Sequence, residues 1–145
     1  MTAPDQSPSP ATSGEGLFAV LERSRSLGFL GPGPVSRHVA HAEAMGAAAG
    51  RPDGPVLDLG AGGGVPGLVL ALAWPGTSWT LLDASERRAG FLENAVLRLG
   101  LADRVSVLRA RAEDAPRGLV ERERDRKSTR LNSSHSVTSR MPSSA

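Results

Sequence analysis

A glycine-rich segment between a predicted strand and a predicted helix is the part of this sequence best suited to bind a ligand. It reads Val56-Leu-Asp-Leu-Gly-Ala-Gly-Gly-Gly-Val-Pro-Gly67. Because glycine has no side chain, such a loop lets the backbone come close to a bound molecule. The alternative is a tight turn of small residues that binds nothing. The loop by itself does not decide between these two interpretations.

The spacing of the glycines disfavours two common phosphate-binding loops. A dinucleotide-binding loop has the pattern G-x-G-x-x-G directly after its strand, and counted from Gly60 the third glycine would fall on Val65. A frame that starts at Gly62 matches, but it begins late and contains Pro66. A Walker A loop needs Gly-Lys followed by Ser or Thr, and this segment contains no lysine.

The pattern that fits starts at Asp58 and continues through Gly60, Gly62 and Gly64. It resembles motif I of the S-adenosylmethionine-dependent methyltransferases. This resemblance implies that the loop backbone cradles the amino-acid end of the cofactor. It also implies that Asp58 reaches the methionine ammonium group, directly or through water.

A second acidic residue, Asp83, ends the next predicted strand and lies 23 residues after Gly60. An acid at this place can accept hydrogen bonds from both ribose hydroxyls of an adenosine. The alternative is an acid that precedes the helix starting near Ser85 and is stabilised by the helix dipole. The spacing between Asp83 and the glycine loop favours the ribose role.

The third predicted strand is followed by the segment Arg111-Ala112-Glu113-Asp114. In a sheet of this kind the loop after the third strand borders the adenine. Ala112 can then face the ring, and Glu113 can meet its amino group. The alternative for this segment is an ordinary solvated acidic turn.

These residues need a scaffold of alternating strands and helices, and the sequence predicts one between residues 55 and 114. Short apolar runs predict strands at 55–59, 78–83 and 105–108, and helical patterns occupy 65–73 and 85–99. This alternation predicts an α/β fold with a parallel sheet and right-handed crossovers. Two helices are predicted before it, separated by a break at 28–34.

Composition divides the chain into four zones: 1–16, 17–50, 55–124 and 125–145. The first is rich in Pro, Ser and Thr and is predicted to be disordered. The second holds the N-terminal helices, and the third holds the sheet domain, which ends in a polar helix or coil at 115–124.

The absence of cysteine excludes disulfides and zinc–thiolate sites. No apolar run approaches the ~18 residues of a membrane-spanning helix, and no secretory signal begins the chain, so a cytoplasmic location is expected.

The last zone, residues 125–145, differs from the rest of the sequence. The formal net charge is +2, but this zone alone contributes +3, from Arg126, Lys127, Arg130 and Arg140 against Asp125. The residues from 125 to 135 correspond, codon by codon, to a translated sequencing-library adapter. The sequence therefore predicts a non-native tail that packs against nothing consistently, so its basic charge carries no argument for nucleic-acid binding.

Three segments together resemble the RsmG (GidB) family, which methylates N7 of a guanine in 16S ribosomal RNA. They are GAGGGVPGL, LLDASERRAGFL and RAED, and Arg37-His38 resembles an element of the family's N-terminal helix. The resemblance covers residues 17 to about 120. It implies the N-terminal part of a Rossmann-like class I methyltransferase, with its parallel sheet truncated after about three strands.

The resemblance also implies a ligand set. It gives S-adenosyl-L-methionine as the cofactor, with Asp83 on the ribose and further contacts at Gly60, Val65, Ala112 and Glu113. The expected partner of the intact parent is 16S rRNA in the small ribosomal subunit, and a monomer without a metal is expected. Because guanine N7 carries a free lone pair, no general base is required and no catalytic residue is assigned.

Two departures from the family pattern bear on this interpretation. His41 stands where the family usually has an acid or an amide, and the later strands are absent, so the chain is expected to be inactive as it stands. His38 and His41 lack a third metal ligand, which favours a surface or capping role for both. The alternatives are a methyltransferase for a small molecule or a protein, and a fragment without enzymatic activity.

Overall fold

The computed structural model describes residues 10–114, 129–132 and 137–140. Helices and strands alternate through most of this part of the chain. In chain order the elements are α1 (Pro10–Ser26), α2 (Val35–Ala49), β1 (Val56–Leu59), α3 (Gly67–Ala73), β2 (Trp79–Asp83), α4 (Glu86–Arg98), β3 (Val105–Arg109), a 3₁₀ turn (Ala112–Asp114), β4 (Thr129–Asn132) and β5 (Val137–Arg140).

The strands form one sheet in the order β3-β2-β1-β4-β5. β1 pairs in parallel with β2, and β2 pairs in parallel with β3. Leu59 pairs with Leu82, and Asp83 pairs with Arg109. The carboxyl ends of the three strands therefore meet at one edge of the sheet, and the predicted α/β fold with three parallel strands is confirmed.

The core forms where the helices pack on these strands and on one another. α4 packs on β2 and β3, and α1 contacts α2, α3 and α4. Since a buried leucine side chain contributes about 1.5–3 kcal/mol relative to an exposed one, the buried leucines are a large part of what holds α1 and the helices to the sheet. Leucines that are fully buried include Leu21, Leu68, Leu70, Leu81 and Leu92.

The N-terminal boundary differs from the prediction. α1 begins at Pro10, so residues 10–16 are helical although their composition predicted disorder. A helix that is already anchored by its packed residues, such as Leu17 and Leu21, extends by single residues at little cost, because only nucleation is unfavourable. Proline fits such a first turn because its missing N–H would have no helical partner there. The remainder of the predicted disordered zone, 1–9, lies outside the described residues.

The tail also differs from the prediction. β4 pairs in parallel with β1, and β5 pairs antiparallel with β4, so the expectation that the tail packs against nothing consistently is wrong for these two segments. The strand that gains a neighbour from the tail is β1, while β3 lies at the edge of the sheet. An open strand edge pairs through backbone groups, which do not read the side chains of the added segment. The predicted polar helix or coil at 115–124 lies outside the described residues.

Within the described segments, no helix has the combination of length and hydropathy needed to span a bilayer.

Candidate functional site

The carboxyl edge of the sheet is closed by hydrogen bonds that join each loop to the neighbouring strand. The N–H groups of Gly60 and Ala61 donate to the carbonyl of Leu82, at 2.7 and 2.9 Å. The N–H of Ala110 donates to the carbonyl of Asp83 at 3.0 Å. The starts of the three loops are thus fixed side by side, as expected for a ligand site at the ends of parallel strands.

A cavity of about 750 Å³ opens at this edge. Such a volume lies within the range of small-molecule and cofactor sites, roughly 300–1,000 Å³. Its wall combines the glycine loop, the end of β2, the segment after β3, the segment between α1 and α2, and two histidines of α2. Among the residues that line it are Gly28, Phe29, Leu30, Gly31, His38, His41, Gly60, Gly62, Gly63, Val65, Asp83, Arg88, Ala112 and Glu113.

The glycine loop turns at the cavity because it contains left-handed backbone conformations. Gly60 has φ +71° and Gly62 has φ +51°, which residues with a Cβ adopt only with strain. Both residues line the cavity, so the turn brings backbone rather than side chains to its wall. This is the arrangement that the sequence pattern predicted for the loop.

Asp83 is the acidic group of the site, and it is held by three donors. The N–H of Gly62 donates to Oδ2 at 2.9 Å, and the N–H of Ser85 donates to Oδ1 at 2.8 Å. Arg88 Nε donates to Oδ1 at 3.1 Å and forms an ion pair with it. Asp83 is only 3% exposed, whereas the Arg88 side chain is 44% exposed.

These contacts leave Asp83 little unused accepting capacity, since an ionised carboxylate has about four lone-pair positions. A ribose that donates two hydroxyl groups to this carboxylate would therefore take the place of Arg88. Arg88 can leave because it is exposed and long, whereas the two backbone donors are fixed by the fold. The alternative role for Asp83, an acid before a helix, agrees with the hydrogen bond that it accepts from the N–H of Ser85, the residue that caps α4.

Two of the predicted binding residues do not line the cavity. Asp58 is completely buried beneath the loop, and its Oδ2 lies 2.5 Å from the position that a Cβ on Gly67 would occupy. A Cβ on Gly64, which has φ +95°, would lie 2.5 Å from Leu68 Cδ1. Both residues therefore lie where they contact the start of α3, and their predicted contact with a ligand stays a prediction.

The other predicted residues do come together. Val65 lines the cavity beside the glycines, and Ala112 and Glu113 line it from the 3₁₀ turn after β3. Both residues of this turn are exposed. Six of the predicted site residues therefore share one cavity: Gly60, Gly62, Val65, Asp83, Ala112 and Glu113.

Sequence reasoning missed the part of the wall that precedes the sheet. His38 is half-buried, and its Nε2 donates to the carbonyl of Gly31 at 3.0 Å. Ser24 is buried on α1, and its hydroxyl donates to the carbonyl of Gly63 at 2.9 Å. The only sequence signal for these contacts was the family-like Arg37-His38 pair. In the described part of the chain, no group of three His, Asp or Glu side chains is placed to hold a metal ion.

Comparison with known proteins places this site in context. The family model described as rRNA small subunit methyltransferase G (GidB) matches residues 35–140. The Ribosomal RNA small subunit methyltransferase G of Clavibacter sepedonicus is 43% identical over 96 residues, a match that covers 63% of this chain and 44% of the relative. The protein of the same name from a Nocardioides species is 59% identical over 58 residues, which are 40% of this chain and 23% of the relative. This chain thus spans less than half the length of these curated relatives.

A solved structure supports the fold independently. An O-methyltransferase from Bacillus cereus in complex with SAH superposes with a TM-score of 0.56 at 22% identity, covering 74% of this chain and 48% of the other. At this identity the likeness concerns the fold alone. The glycine loop, the acid at the end of β2 and the family match over more than half of the chain lead to one conclusion: this chain belongs to the GidB family, rRNA small subunit methyltransferase G.

Proposed function

We propose that this chain carries the cofactor-binding part of a methyltransferase that uses S-adenosyl-L-methionine and methylates N7 of a guanine in 16S rRNA. The observation that carries the proposal is the cavity shared by the glycine loop and Asp83. The Gly62 backbone and the Asp83 carboxylate are joined by a 2.9 Å hydrogen bond. A backbone turn and an acid held together at the ends of two parallel strands are what an adenosine derivative with a charged tail requires.

The residues around the cavity fit this cofactor. A Cβ on Gly62 would point toward the Asp83 carboxylate, at 3.9 Å from Oδ2, so glycine keeps this space open. Asp83 would bind the ribose, and Ala112 and Glu113 would border the adenine. Gly60 and Val65 would hold the methionine end, while Asp58 and Gly64 would maintain the loop from beneath. The bound cofactor supplies a methyl group on a positively charged sulfur.

The role of the protein residues is then to orient the two reactants. Guanine N7 has a lone pair that needs no deprotonation, so no residue has to act as a general base. Correct placement of reacting atoms can account for much of the acceleration of such a transfer, up to about 7–11 kcal/mol. The first residues of each loop, which are fixed by hydrogen bonds at the sheet edge, would provide that placement for the cofactor.

The partner of the whole protein would be 16S rRNA in the small ribosomal subunit, met in the cytoplasm by a monomer. The chain of 145 residues would bind the cofactor without completing the transfer, since it spans only 44% of the Clavibacter relative.

Calorimetry with S-adenosylhomocysteine tests the cofactor assignment. The chain is expected to bind it saturably with a stoichiometry near one, and to give no heat of binding with NAD⁺. Gly62→Ala should abolish or strongly weaken this binding. Gly100→Ala is the matched control, because Gly100 also has a positive φ, +69°, but a Cβ there would meet nothing within 4 Å. Both variants carry the strain of a left-handed residue, about 1–2 kcal/mol, so an equal loss of binding in both would contradict the assignment.

We further propose the domain division 1–16, 17–50, 55–124 and 125–145, with 125–145 not belonging to the natural protein. The codon correspondence with an adapter and the restriction of the only lysine, Lys127, to this zone support it. Amplifying the locus from genomic DNA without library adapters is expected to show that the open reading frame continues after about residue 125 with a fourth strand rich in Val, Ile or Leu. Recovery of Lys127-Ser-Thr-Arg-Leu-Asn132 in that product would refute the proposal.

A further inference from the structure

A second groove, which shares only Phe29 with the cavity at the sheet edge, lies between α1 and α4. Its volume is about 520 Å³. α4 contributes residues at intervals of three and four, which places them on one side of the helix. The residues that line the groove are Val20, Arg23, Leu27, Phe29, Arg87, Gly90, Phe91, Asn94, Ala95 and Arg98.

The charge of this groove has one sign. Arg23, Arg87 and Arg98 are exposed at its wall, and none of its lining residues is acidic. In the described segments the arginines that form ion pairs are others, Arg25 with Glu22 and Arg88 with Asp83. Three arginines that line one groove without acidic partners favour a polyanion, because the guanidinium group matches phosphate oxygens in geometry and charge.

The floor of the groove is aromatic and holds one of the arginines in place. Phe29 and Phe91 meet edge to face, with ring centroids 5.7 Å apart. The guanidinium carbon of Arg87 lies 5.5 Å from the centroid of Phe29. This cation–π contact orients Arg87 before any ligand arrives.

Phe29 also connects the groove to the cavity, because it lines both. A chain that follows the arginines along α4 therefore reaches the rim of the cavity at Phe29. From Arg87 to Arg98 the helix rises about 16 Å, at roughly 1.5 Å per residue, so the row of arginines extends past more than one phosphate group. This arrangement suits an RNA strand whose backbone follows the groove while one base reaches the cavity.

We infer that the groove between α1 and α4 binds the phosphate backbone of the RNA strand that carries the target base. Arg23, Arg87 and Arg98 contact phosphates, and the strand enters the cavity past Phe29. This inference rests on the proposed function, which supplies the need for RNA at the cavity.

The test measures binding of the 145-residue chain to a labelled single-stranded RNA of about 12 nucleotides, within the range that single-strand sites occupy. Fluorescence anisotropy is recorded at several salt concentrations. The variant that replaces Arg23, Arg87 and Arg98 by alanine is expected to bind at least 10-fold more weakly at low salt. Its salt dependence should also flatten, with the slope of log K against log salt reduced by about 2, since each phosphate contact on a single strand contributes about 0.7.

Two further variants keep the test decisive if the triple variant fails to fold. Gly90 lies in the groove, and a Cβ there would meet nothing within 4 Å. Gly90→Glu therefore places a negative charge among the arginines without a clash, and should weaken RNA binding, whereas Gly90→Gln should not. Arg25→Ala on α1 is the control for a general loss of positive charge, because Arg25 does not line the groove.

S-adenosylhomocysteine binding distinguishes failure of this inference from failure of the proposed function. All variants should bind it as the parent does, because the substituted residues do not line the cavity. If the parent binds both ligands and Gly90→Glu or the triple variant leaves RNA affinity and salt slope unchanged, the inference is wrong. It is also wrong if Arg25→Ala loses as much affinity, or if the parent binds anionic phosphatidylglycerol vesicles but no RNA. If the parent binds no S-adenosylhomocysteine, the proposed function fails first.

Discussion

Asp83→Ala is expected to weaken S-adenosylhomocysteine binding about 10- to 100-fold. Hydrogen bonds to a charged acceptor are worth roughly 1.5–3 kcal/mol, and in the proposed complex the Asp83 carboxylate accepts from the ribose. The substitution also removes the acceptor of the Gly62 N–H, which lies at 2.9 Å and fixes the glycine loop. Calorimetry measures the affinity, and urea denaturation should show a loss of about 1–3 kcal/mol in unfolding free energy from the backbone donors left without a partner.

Arg88→Ala separates these two effects. It removes the 3.1 Å contact to Oδ1 of Asp83 but leaves both backbone hydrogen bonds in place. Since Arg88 occupies the position that the ribose would take, its removal should leave S-adenosylhomocysteine affinity unchanged or increase it. Unaltered affinity in Asp83→Ala, or a loss in Arg88→Ala as large as in Asp83→Ala, would remove the ribose assignment.

Gly63→Ala is expected to lower the free energy of unfolding by about 3 kcal/mol, at the upper end of the usual cost of overpacking. A Cβ on this buried residue would lie 2.7 Å from Leu30 Cδ2 and 2.8 Å from Ser24 Oγ. It would come closer still to the carbonyl oxygen of Phe29, which is backbone and cannot rotate away. Chemical denaturation followed by circular dichroism measures the change.

Gly90→Ala provides the comparison for this variant. Gly90 lies in α4, and a Cβ there has open space around it. Alanine should therefore stabilise the chain by about 0.5–1 kcal/mol, the difference between the two residues within a helix. A Gly63→Ala protein as stable as the parent would mean that α1 and the glycine loop are not packed together as described.

The sheet domain was predictable because the ends of its strands are marked by residues next to them in the sequence. An apolar run that stops at Gly60 marked β1, and a run that ends in Asp83 marked β2. The ends of both strands fall within one residue of the predicted ones. The cavity followed from the same reasoning, since parallel strands bring their carboxyl ends to one edge. Spacing along the chain thus sufficed for the residues that lie directly at the strand ends.

Contacts between distant segments were not predictable in this way. The sequence contains no local sign that Ser24 would bond to Gly63, 39 residues later. The sequence also does not show whether the exposed Arg88 side chain on α4 turns toward Asp83 or toward solvent. Asp58 was assigned to the ligand from its place in a motif, but which side of the loop its side chain occupies is decided by packing against the segment around Gly67.

The tail was mispredicted for a different physical reason. Its composition lacks apolar periodicity, which was the basis for predicting that it packs against nothing consistently. Strand pairing, however, depends on an available edge, and β1 offers one to residues 129–132. Backbone hydrogen bonding of this kind is compatible with many sequences. The side chains of the tail therefore could not predict whether it pairs with β1.

The hydrogen bond from Ser24 to Gly63 makes the conformation of the glycine loop depend on the position of α1. The N–H of Phe29 donates to the carbonyl of Ser24 at 2.9 Å, so the residue that bonds to the loop also fixes the segment that forms the cavity wall. Regions linked in this way open together rather than separately. We therefore expect the loop, the end of α1 and the segment at Phe29 to unfold as one cooperative unit. Undocking of α1 would then disrupt the ligand site before the pairing of β1, β2 and β3 is lost.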